Sequence, residues 1–154
     1  MVLINPMFAQ FTSPAANTSV TVGGKKITID YHAPSMHGRK IFGGLVPYGR
    51  VWRAGANEAT ALHTEADLQI KDLKVPKGDY TLFVLPDPKG FQLIVNKQTG
   101  QWGLEYNKAQ DLGRVPMDLA ATPGPVETFK ITLAPNKLSM EWENTVASVP
   151  IVAK

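Results

Sequence analysis

Residues 80–95 read YTLFVLPDPKGFQLIV: two apolar runs, 80–85 and 91–95, on either side of Pro86-Asp87-Pro88-Lys89-Gly90. Runs this apolar, broken by a Pro/Gly turn, are expected as a hairpin of central strands buried on both faces. The rest of the chain alternates with period two around that pair. Ile27, Ile29 and Tyr31 alternate with Thr28 and Asp30. Phe129, Ile131 and Leu133 alternate with Thr128, Lys130 and Thr132, and Leu138, Met140 and Trp142 with Ser139, Glu141 and Glu143. Such segments are strands with one wet face.

Turn chemistry fits the same pattern. Gly23-Gly24 suits a two-residue hairpin turn, and Pro135-Asn136-Lys137 suits a third hairpin. Helix signals are confined to residues 107–112 (NKAQDL), with Asn107 as N-cap and Gly113 as stop. Residues 121–125 (ATPGP) read as a loop crossing between sheets. The expected fold is all-β: an antiparallel β-sandwich, jelly-roll-like or Greek-key, with few short helical turns.

A length of 154 residues suits one domain, expected over residues 13–154. Residues 1–12 read either as a signal-peptide remnant, cut after Ala9, or as an N-terminal arm. That segment is too short for a membrane span, which needs about 20 apolar residues. The net charge is +3 and the basic residues are scattered among acids, so neither a nucleic-acid partner nor a membrane span is expected. An oligomer through exposed sheet edges stays open.

The absence of Cys excludes disulfides and thiolate chemistry. The three histidines, His32, His37 and His63, match no metal-binding spacing, and no metal or cofactor is expected. Ser13, Ser35, Ser139 and Ser148 have no nucleophile-elbow context, and no phosphate-binding glycine loop is present.

Chemistry is concentrated in residues 38–60, GRKIFGGLVPYGRVWRAGANEAT. Four glycines precede Gly55, and three arginines, a Trp and the Asn57-Glu58 pair share the segment. Arg39 and Arg53 are candidate forks for a carboxylate or phosphate, or donors to backbone carbonyls. Trp52 offers an apolar face, and Asn57 and Glu58 offer amide and carboxylate groups. Trp102, between glycines in residues 100–103, either caps the core or forms a stacking platform. The plainer alternative is a buried Arg53–Glu58 salt bridge that orders the loop.

These residues also carry a resemblance. The run IDYHAPSMHGRKIFGGLVPYGRVWRAGANEAT, followed by VPKGDYTLFVLP, NKQTGQWG, PVETFKITL and LSMEWENTVASVPI, is similar to the bacterial domain-of-unknown-function family number 2911. It extends from about Ser13 to Ile151. Arg39, Ile41, Phe42 and Gly43 match one family element, the run from Trp52 to Thr60 a second, and Gln101-Trp102-Gly103 a third. His32, His37 and His63 stand where the family carries other residues, and Ala33 replaces an expected Arg. The resemblance implies a cell-envelope location, periplasmic or secreted, and no established activity.

Three readings of function follow. The first is an envelope protein binding a small polar ligand, a glycan or a carboxylate, at Arg39, Trp52, Arg53, Asn57, Glu58 and Trp102. The second is a hydrolase with Glu58 as general base, for which Asp30 and Glu105 are remote candidates for a second carboxylate. The third is a structural or interaction module with an architectural Arg–Glu core.

Overall fold

The computed structural model describes residues 13–154, so both readings of residues 1–12 lie outside the described residues. The described residues form ten strands: β1 (Ala15–Val22), β2 (Lys25–His32), β3 (Thr60–Thr64), β4 (Leu68–Ile70), β5 (Leu73–Val75), β6 (Gly78–Leu85), β7 (Gln92–Asn96), β8 (Asp111–Pro116), β9 (Asp118–Ala134) and β10 (Lys137–Ala153). They make two antiparallel sheets, β1-β2-β3-β6-β7-β8 and β5-β4-β10-β9. The fold is thus the expected all-β sandwich type.

Local sequence sets the hairpins. Gly23 and Gly24 both take positive φ, which lets Val22 pair with Lys25 in a two-residue turn. The 80–95 hairpin pairs Phe83 with Ile94 and Val84 with Leu93, at the centre of the larger sheet. Both of its faces are buried, as expected. Leu82, Val84, Leu93 and Val95 enter the main core, while Phe83 and Ile94 enter a smaller cluster with Ala59, packed under Val51, Leu85 and Tyr106.

The main core lies between the sheets. Ile27, Ile29 and Leu62 belong to it from the larger sheet, and Phe129, Ile131, Met140, Trp142, Val149 and Ile151 from the smaller. Each such side chain contributes about 1.5–3 kcal/mol by leaving water. One corner of the sandwich is closed by side chains: the backbone N–H of Ile131 donates to Tyr31 Oη at 3.1 Å, and that of Leu133 to Thr18 Oγ1 at 3.1 Å.

Two expectations need correction. Residues 121–125 do not cross between sheets; they lie inside β9, where residues 122–125 bulge opposite Asn144 alone. Pro123 and Pro125 cannot donate to the ladder, so the strand bulges there and remains in its sheet. The change of sheet comes earlier: Met117 N–H still bonds Phe91 O on the larger sheet, whereas Asp118 already pairs with Ser148. The helical segment is present as expected, and only its end differs. A single 3-10 turn spans Lys108–Gln110, with the Asn107 side chain capping Ala109 N–H. Gly113 is not its stop; it lies within β8, where Leu73 Cδ1 would come within 2.5 Å of an added Cβ.

Candidate functional site

Residues 33–59 connect β2 to β3, which are hydrogen-bonded neighbours, so this long segment leaves the sheet and returns beside its starting point. Its first half is fastened to the smaller sheet. Met36 N–H donates to Glu127 O, and Phe129 N–H to Pro34 O. The Glu127 carboxylate accepts from His37 N–H at 3.0 Å. Glu143, at a bulge with φ 59°, accepts from Ile41 N–H at 2.9 Å and from Phe42 N–H at 3.3 Å. The alternating pattern of β9 and β10 carried no sign that these two glutamates hold a loop.

The second half is fastened to the larger sheet. Trp52 pairs with Val84, and residues 57–59 pair with residues 101–103 through Ala59 N–H to Gln101 O and Gly103 N–H to Asn57 O. The buried Thr60 hydroxyl donates to Ala54 O at 2.7 Å. Ala54 and Asn57 take φ of 52° and 61°, a conformation that Asn tolerates and Ala does not favour.

The candidate residues are therefore divided. Arg39 donates from Nε to Met36 O at 2.9 Å and from a terminal nitrogen to Ser35 O at 2.8 Å, which knits its own loop. Trp52 belongs to the core: it stacks on Trp142 with centroids 6.0 Å apart and planes 19° apart, and meets Phe42 and Phe129 edge-on. Its indole N–H donates to Gly55 O. Part of its surface, with Pro34, Leu45, Val46, Arg53 and Asn57, lines a cleft of about 250 Å³ that Arg39 also borders.

Arg53 is the unusual member of that cleft. Among the described residues its guanidinium has no hydrogen-bonded or ionic partner, and its Nε is sealed from solvent. Burial pushes its pKa below the ordinary Arg range. Its aliphatic stem runs over Gly103, where an added Cβ would stand 2.0 Å from Arg53 Cδ. The Gly of Gln101-Trp102-Gly103 is thus the space that lets Arg53 pass.

Glu58 faces elsewhere. It is exposed and, with Asn17, Asp30 and His32, lines a second cleft of about 220 Å³. Asp30, which pairs with Ala61 near the start of β3, shares this cleft with Glu58; Glu105 does not line it. Ala56, which lines the first cleft, donates its N–H to the O of His32, which lines the second, at 3.3 Å. Glu58 and Trp102 are directly opposed across their bridge, which puts both side chains on one side of the pair. Trp102 is 57% exposed and lines neither cleft. The alternative of an Arg53–Glu58 salt bridge is not formed: neither residue has an ion-pair partner among the described residues.

Of the histidines, His32 borders the second cleft and His37 sits in the fastened loop. His63 lies on the outer face of β3, with Nδ1 2.6 Å from Asp79 and Nε2 3.4 Å from Asp30. Among the described residues no three His, Asp or Glu side chains are grouped so as to hold a metal ion. No helix among them is long and apolar enough to cross a membrane.

The family described as "Protein of unknown function (DUF2911)" matches residues 13–151, and the chain belongs to it. No curated protein and no solved structure matches the chain.

Proposed function

We propose that this DUF2911 protein is an envelope protein that binds a small polar ligand, a glycan or a carboxylate, in the cleft walled by Arg53, Asn57, Trp52 and Pro34. One observation carries the reading: a half-buried guanidinium whose Nε is sealed from solvent, with no acceptor among the described residues, on the wall of a cleft. A partly desolvated cation without an acceptor costs stability, and a bound acceptor would offset part of that cost. Loops held on a rigid scaffold are common places for such sites. The envelope location rests on the family resemblance, and fractionation of cells producing the protein tests it separately.

The test is an NMR titration of the Arg53 and Asn57 side-chain N–H signals with small carboxylates and neutral sugars. Saturable shifts that vanish in Arg53→Gln are expected. Shifts that persist unchanged in Arg53→Gln would remove Arg53 from the site and overturn the reading.

A second reading is favoured by a separate observation, the shared cleft of Asp30 and Glu58. A hydrolase would use Glu58 as general base and Asp30 as a second carboxylate. A screen of glycoside and ester substrates decides it. A folded Glu58→Gln variant that keeps all turnover found for the parent would end this reading.

A further inference from the structure

The cleft beside Arg53 also bears on which ligand enters it, an inference that rests on the binding reading above. Its lining includes Arg39, Arg53 and Asn57 but no carboxylate, so the lining favours an anion. Arg39 already donates to Met36 O and Ser35 O, and Arg53 is the guanidinium without an acceptor among the described residues. One guanidinium and one amide suit a single negative charge. A phosphate dianion is commonly held at a helix N-terminus or a glycine loop, and the described residues contain no α-helix.

A sugar needs an open aromatic face. Trp52 has one face stacked on Trp142 and its edges against Phe42 and Phe129. The exposed ring of Trp102 is outside this cleft. Apart from Ser13, the side chains on the rest of the wall are apolar, among them Pro34, Val46 and Leu45, the last 46% exposed. A volume of about 250 Å³ is below the usual range for drug-sized ligands.

We infer that the ligand is a small amphipathic monocarboxylate, its carboxylate on Arg53 and Asn57 and its short apolar tail against Leu45, Val46 and Pro34. Each methylene buried in the cleft strengthens binding about fourfold.

The experiment titrates the full chain with acetate, hexanoate, glucuronate and inorganic phosphate, in the parent, Leu45→Ser and Arg53→Gln. Hexanoate should bind at least about tenfold more tightly than acetate. Leu45→Ser should weaken hexanoate more than acetate and so narrow that difference, while Arg53→Gln should weaken both. Equal binding of acetate and hexanoate, or tighter binding of glucuronate or phosphate, overturns the inference and leaves the binding reading standing. If none of the four probes nor any neutral sugar binds the parent, the binding reading itself fails and takes the inference with it.

Discussion

The same short segment supplies a charged residue to each of two clefts. Arg53 lies in a cleft where it is half-buried and its Nε is sealed from water with no acceptor among the described residues. Glu58, five residues on, lies in a cleft where it stays exposed. Hydration separates their energetics. A solvated carboxylate is already satisfied, so it adds little to folding and has little unmet demand for a ligand. A partly desolvated guanidinium costs some stability in the free protein, and a ligand that pairs with it recovers part of that cost. Two charged residues five positions apart thus differ in consequence: the Arg53 stem packs over Gly103, while Glu58 is exposed.

The contrast can be broken by mutation. Trp52→Ala should cost the most, about 3–5 kcal/mol, because it removes a ring stacked on Trp142 at the base of the Arg53 cleft. Chemical denaturation measures it; a loss below about 1 kcal/mol would mean that the cleft floor is not part of the core.

Gly103→Ala should cost about 1–3 kcal/mol, since the new methyl collides with the Arg53 stem. Arg53→Ala in the same chain should recover most of that loss, because it removes the stem. A double-mutant cycle with no coupling would show that the two residues do not meet in solution.

Glu58→Gln should change stability by no more than about 0.5 kcal/mol, as expected for an exposed side chain without a partner among the described residues. A penalty as large as that of Gly103→Ala would abolish the contrast, since it would mean that Glu58 is also held in a desolvated contact.

The alternation of Ile27, Ile29 and Tyr31, the apolar 80–95 hairpin and the Gly23-Gly24 turn were legible because they depend on neighbours two to four residues apart. Backbone pleat and turn geometry impose those spacings directly. The errors arose where a local signal met a distant partner. Residues 121–125 look like a loop by composition, yet β10 draws them into a bulged strand. Gly113 looks like a helix stop, yet its missing side chain makes room for Leu73.

The candidate site divides along the same line. The sequence by itself determined the all-β class, the hairpins and the segment in which charged and aromatic residues gather. Only the tertiary structure decided that Trp52 belongs to the core, that Glu127 and Glu143 fasten the loop, and that Asp30 joins Glu58 and not Arg53. Those outcomes depend on contacts between residues far apart in the chain. Burial, which sets whether a charge is satisfied or stranded, is a property of that assembly and not of any residue alone.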